Sequence, residues 1–169
     1  QETNMKKLFL LFTLIPTLVF AQNLSDIEMK ILEVVDENHE EALDFSIENV
    51  NMNSGSMNAE GVKALGQRYI DAYSTLGFET EFVDQSEVNR GGHFIARKKG
   101  SSGQRLLLIG HLDTVFETDS PFQQAEFRSD SILAGPGIAD MKAGNVMILY
   151  ALKALDNAGA LADANITVV

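Results

Sequence analysis

Residues 106–116, LLLIGHLDTVF, hold the stretch on which the fold reading turns. Four consecutive apolar residues, Leu106 to Ile109, show no polar alternation, the pattern of a strand buried on both faces in the middle of a sheet. Gly110 ends the run, and His111 and Asp113 follow at once. In open α/β sheets, binding residues collect just beyond the carboxyl ends of strands, which is where this pair falls. If the chain stays extended there, positions i and i+2 share a side. Asp113 then holds the imidazole by one nitrogen and leaves the other free for a metal ion. A histidine satisfied within its own loop is the alternative.

Working outward, HFIARKKGSSGQRLLLIG (93–110) carries two strand-like runs around the turn signal Gly100 to Gly103, and so reads as a hairpin. The charges Arg97, Lys98, Lys99 and Arg105 read as solvated turn residues. Upstream, FETEFVD (78–84) alternates as a strand does. It follows a helix that Asn58 can cap, on which Val62, Leu65, Tyr69, Ile70 and Tyr73 recur on one face up to a stop at Gly77. Residues 25–50 have helical spacing, with Ser25 or Asp26 as the cap. Downstream, glycines 135 and 137 precede a helix with Val146, Leu149, Tyr150, Leu152 and Leu155 inward and Gly159 as its stop. ANITVV (164–169) is a further strand. Alternating helices and buried strands predict an α/β fold, a sandwich of helices around a mixed, largely parallel sheet, incomplete at its C-terminal end.

The composition narrows the chemistry. With 169 residues and 45% hydrophobic content, the chain is long enough for one domain with a real core. It has no cysteine, so any metal is held by histidine and carboxylates. Thirteen basic against 24 acidic residues give a net charge of −11, which disfavours nucleic acid and anionic membrane surfaces as partners. Met5-Lys6-Lys7 opens a 14-residue apolar run, Leu8 to Ala21, closing on Val19-Phe20-Ala21. That is the pattern of a secretory signal peptide, and the run is short of the roughly 20 residues of a membrane span. The expected organisation is an upstream extension at 1–4, a signal peptide at 5–21 and the N-terminal part of a catalytic domain at 22–169. The product is then secreted or periplasmic, with no membrane attachment after signal removal.

The second chemical motif is GPGIADMKAGN, 135–145. Asp140 stands just before a helix, where a carboxylate can bridge two cations or simply cap the helix and complement its dipole. The loop has neither the spacing nor the Lys-Ser/Thr end of a phosphate-binding loop. Ser54 and Ser56 in NSGS lack the surroundings of a serine nucleophile. His39, among glutamates on a helix, and His93, at the start of a strand, read as non-ligands.

LLLIGHLDTVF followed by GPGIADMKAGNVMILYALKAL resembles the metal-binding core of the M20 zinc peptidase family, closest to its glutamate carboxypeptidase branch and similar to acetylornithine deacetylase. VNMNSGSMNAEGVKALGQRYIDAYSTLGFE resembles the segment that precedes that core. The resemblance implies that His111 ligates one zinc, that Asp113 orients it as part of the catalytic apparatus, and that Asp140 bridges two zinc ions. It further implies a water-activating glutamate and other ligands beyond Val169, so the chain by itself is expected to be inactive. A homodimer through a domain not in this chain is implied too. Lys142 matches a frequent family lysine, though a solvated first-turn lysine is the plainer reading. The expected activity is cleavage of an amide bond beside a free carboxylate, in a peptide or an N-acyl amino acid. The alternatives are an N-acyl amino acid deacylase and a catalytically dead peptide-binding or structural relative. Two zinc ions at about four ligands each need more than His111 and Asp140 supply.

Overall fold

The computed structural model describes residues 24–169; the expected signal peptide lies outside them. Two helices, α1 (Asp26–Glu37) and α2 (His39–Asn51), occupy the stretch that reads as one amphipathic pattern. Ser25 and Glu28 cap α1 reciprocally, each side chain taking the other's backbone N–H. The break falls at Asn38, whose side-chain amide donates back to the Val34 carbonyl at 2.7 Å and so competes with continuation of the helix. Helix α3 (Ala59–Thr75) starts as its sequence predicts, with the Asn58 side chain accepting from the Gly61 amide at 3.1 Å. It stops at Gly77, where φ is +72°.

Strands β1 (Glu79–Gln85), β2 (Arg90–Lys99) and β3 (Ser102–Leu108) follow. A small two-stranded ribbon comes next, β4 (Glu126–Ser129) with β5 (Ile132–Ala134). A kinked turn, Ile138–Lys142, leads into α4 (Ala143–Asn157), and β6 (Ala164–Val168) completes the described elements.

The main sheet has the order β1-β2-β6-β3. Its class is the expected α/β with a mixed sheet, but the strand directions differ from expectation. β1–β2 and β2–β6 pair antiparallel and only β3–β6 is parallel, so the sheet is mostly antiparallel rather than largely parallel. The predicted hairpin of β2 and β3 does not form either. β6 lies between them, with Lys98 opposite Ile166 on one side and Leu106 opposite Ile166 on the other. Because β3 runs parallel to β6 and β2 antiparallel to it, the chain does reverse direction around Gly100–Gly103, but it crosses β6 as it does so, and β2 and β3 are not neighbours. Among the described residues β3 is therefore an edge strand. Leu106 and Leu107 are 51% and 59% exposed, against the expectation of burial on both faces.

Register decides the core. Phe94, Ala96, Ile166 and Val168 share one face, and against it lie Leu65, Tyr69 and Tyr73 of α3 and Leu149 and Leu152 of α4. Fully burying each such side chain contributes about 1.5–3 kcal/mol. The opposite face shows the cross-strand ion pairs Arg97–Glu81 and Lys99–Glu79, both at 2.8 Å. Lys98 points to the helix side and donates to the Leu76 carbonyl at 2.8 Å, satisfying the end of α3. No helix among the described residues is long and apolar enough to cross a membrane.

Candidate metal centre

The site forms where the β3 exit meets the turn before α4. His111 leaves β3 with its carbonyl held by the Asn145 side-chain amide at 2.6 Å, a donor supplied by the first turn of α4. Its ring is fixed at both nitrogens. Nδ1 lies 2.9 Å from the Asp113 carbonyl and 3.5 Å from that residue's carboxylate Oδ1. Nε2 lies 2.9 Å from Asp140 Oδ1. The predicted partnership of His111 and Asp113 thus exists, with the backbone carbonyl as the nearer contact. Twenty-nine residues of sequence separate His111 from Asp140, and the fold brings them into contact.

Asp140 does not cap a helix. Its backbone is extended (φ −145°, ψ 87°), and neither the kinked turn nor α4 has a side-chain cap. Its side chain is 85% exposed and directed at the imidazole. Gly137 makes this path feasible: its φ is +73°, and its carbonyl accepts from the amides of Asp140 (3.2 Å) and Lys142 (2.9 Å). A methyl group on Gly137 would overlap Thr114 Cγ2, so the two site loops meet at this glycine.

Lys142 departs most from its sequence reading. It is 1% exposed, not solvated, and its Nζ donates to the carbonyls of Asn49 (2.9 Å) and Met52 (2.6 Å) at the end of α2. Those carbonyls are helix-terminal groups that need donors, and the negative end of the α2 dipole favours a cation there. Burial lowers the Lys142 ammonium to about 8. At His111, partial burial works to lower the imidazolium. The Asp140 hydrogen bond, the Asp113 carbonyl and the charges of both carboxylates outweigh it, and the net shift is upward.

Ser56, which the sequence sets aside as a nucleophile, is drawn by the fold into the same cluster. Ser54 to Ser56 run beside Leu112 to Thr114, with Ser56 N donating to Thr114 O at 3.0 Å and Thr114 N to Ser54 O at 2.9 Å. The Ser56 hydroxyl donates to Asp113 Oδ2. His39 and His93 are exposed, and neither is among the hydrogen-bond partners of His111; His93 borders a cavity that His111 and Asp113 also line.

The donor set fits a small divalent ion at two positions. With zinc–ligand bonds near 2.0–2.1 Å, two ligands of one tetrahedral zinc stand roughly 3.3 Å apart, so His111 Nε2 and Asp140 Oδ1 need open by only about 0.4 Å. Orientation of a histidine through its second nitrogen is the usual arrangement behind such a ligand. Among the described residues no group of three histidine, cysteine or acidic side chains converges on one point. A cleft lined by Ser56, His111, Asp113, Gly137 and Asp140 gives access to the pair.

Known proteins share parts of this sequence and fold. Residues 107–169 match the family described as Peptidase family M20/M25/M40. The chain is 36% identical over 121 residues to carboxypeptidase G2 of Pseudomonas sp. (strain RS-16), covering 71% of this chain and 29% of that protein. It is 33% identical over 105 residues to acetylornithine deacetylase of Vibrio vulnificus (strain CMCP6), covering 57% of this chain and 26% of that one. The fold is similar to that of the di-peptidase Dug1p of Saccharomyces cerevisiae, with a TM-score of 0.67 at 14% identity, over 83% of this chain and 33% of that one. The class so defined is an α/β fold with a mixed sheet. By the family match over residues 107–169 and by both curated relatives, the chain is similar to the M20 peptidase family. It spans less than a third of the length of each of these two curated relatives.

Proposed function

We propose that the full-length protein is an exported di-zinc hydrolase that cleaves an amide bond next to a free carboxylate, in a peptide or an N-acyl amino acid. The observation that carries this reading is the convergence of His111 Nε2 and Asp140 Oδ1 at 2.9 Å beyond the end of β3. In the proposal His111 holds one ion and Asp140 bridges both. Bound zinc supplies a Lewis acid for the scissile carbonyl and makes a water easier to deprotonate.

This chain's own residues do the holding. The Asp113 carbonyl and carboxylate keep Nδ1 occupied, so that Nε2 is presented outward. Gly137 and Lys142 fix the turn that carries Asp140. The described residues offer two ligands where two ions need more, so the 169-residue chain alone is expected to be inactive. Export rests on the signal-peptide pattern at 5–21.

The similarity to acetylornithine deacetylase favours a second reading, an N-acyl amino acid deacylase with the same metal pair. A panel of C-terminally free peptides and N-acyl amino acids, assayed on full-length protein after chelation and again after zinc is restored, separates the two: peptide turnover supports the first, and turnover confined to N-acyl amino acids the second. Hydrolysis that survives chelation, or that is unchanged in His111→Ala, would refute both.

A further inference from the structure

We propose that Ser56 is a positioning residue for the metal centre, acting through Asp113 on His111; this rests on the reading of His111 as a metal ligand. Asp113 has a carboxylate with two oxygens and one neighbour that needs it. Oδ1 faces His111 Nδ1 at 3.5 Å, while Oδ2 accepts from the Ser56 hydroxyl. Without that hydroxyl, the carboxylate is free to rotate about χ2, because its second oxygen has no other partner within the cluster. The ring then keeps only the backbone carbonyl behind Nδ1.

The serine is itself built in. Ser54 Oγ donates to the Leu112 carbonyl at 2.8 Å, and Ser56 N donates to the Thr114 carbonyl at 3.0 Å, so the segment is laced to both sides of Asp113. Ser56 thus reaches the carboxylate from a chain segment 57 residues away, and it also borders the cleft over His111 and Asp140. A hydrogen bond to a charged acceptor is stronger than a neutral one, which suits a residue whose work is to hold an orientation. The hydroxyl stands one contact behind the group that fixes the ligand. Partners of that kind typically change metal affinity by 10–100-fold when removed.

The test is zinc affinity, measured by competition with a chromophoric chelator on the full-length protein, for wild type, Ser56→Ala, Ser56→Thr and His111→Ala. The expected result is a loss of about tenfold in Ser56→Ala, at the low end of that range. Ser56→Thr should restore the affinity, with the metal-free melting temperatures of wild type, Ser56→Ala and Ser56→Thr nearly equal. Should the alanine variant fail to fold, Ser56→Cys, nearly isosteric and a weak donor, is expected to show the same loss. Unchanged affinity in Ser56→Ala and Ser56→Cys, while His111→Ala binds poorly, would overturn the role of Ser56. An equal loss in Ser56→Thr would overturn it as well, since the hydroxyl is retained. Unchanged affinity in His111→Ala would instead overturn the metal reading on which the inference stands.

Discussion

Replacing Gly137 by alanine puts two separable strains on the contact between the site loops. The residue has φ +73°, and placing an L-residue in that region costs roughly 1–2 kcal/mol. The added methyl also overlaps Thr114 Cγ2, and overpacking of a tight contact typically costs about 1–3 kcal/mol. Gly137→Ala is therefore expected to lower unfolding free energy by about 2–5 kcal/mol, read as a lower urea midpoint at unchanged slope by circular dichroism. Thr114→Ser removes only the offending methyl and keeps the oxygen that accepts from Phe116 N at 3.2 Å. In the double variant the overpacking part should disappear and the dihedral part of roughly 1–2 kcal/mol remain. A Gly137→Ala loss below about 1 kcal/mol, or a double variant no better than the single one, would refute the reasoning, because the left-handed turn alone predicts more than that.

Lys142→Met removes both donors to the Asn49 and Met52 carbonyls, and each buried acceptor left unpaired costs about 1–3 kcal/mol, so a lower melting temperature at pH 7 is expected. With the folded ammonium at about 8 and its ordinary value at 10.5, the unfolded chain binds more protons between these limits. Wild-type stability should therefore gain a contribution from Lys142 as pH rises from 8 to 10.5, and a pH series of unfolding midpoints should show it vanish in Lys142→Met. Leu107→Lys, at a position 59% exposed on the edge strand, should reduce self-association of the isolated chain in light scattering without lowering its melting temperature.

Local signals were readable. The Ser25 cap, the Asn58 cap, the Gly77 stop and the apolar face of α3 each depend on a few neighbouring residues, and the structure places all of them where those residues indicate. What failed was non-local. Nothing in residues 93–110 reveals that β6, some sixty positions later, pairs between β2 and β3. A turn signal and two strands favour a hairpin until a third strand competes. Uniformly apolar Leu106–Ile109 likewise could not distinguish a central strand from an edge.

The site divides in the same way. His111, Asp113 and Asp140 stood out by type and position, whereas their contact across the fold did not. Lys142 looked like any first-turn lysine because its acceptors lie on α2, some ninety residues earlier. Ser56 was judged only as a nucleophile. Its proximity to Asp113 depends on the pairing of Gly55 with Thr114, which has no signal in either segment alone.

The zinc content of full-length protein, measured by elemental analysis, tests the metal pair directly when wild type is compared with Asp140→Ala and with His39→Ala, a histidine exposed on α2 outside the site. Two zinc ions per chain are expected in wild type and in His39→Ala, and loss of bound zinc in Asp140→Ala, since that carboxylate is proposed to serve both ions. Wild-type protein that binds no zinc, or an Asp140→Ala variant that retains the full complement, would contradict the proposed metal pair.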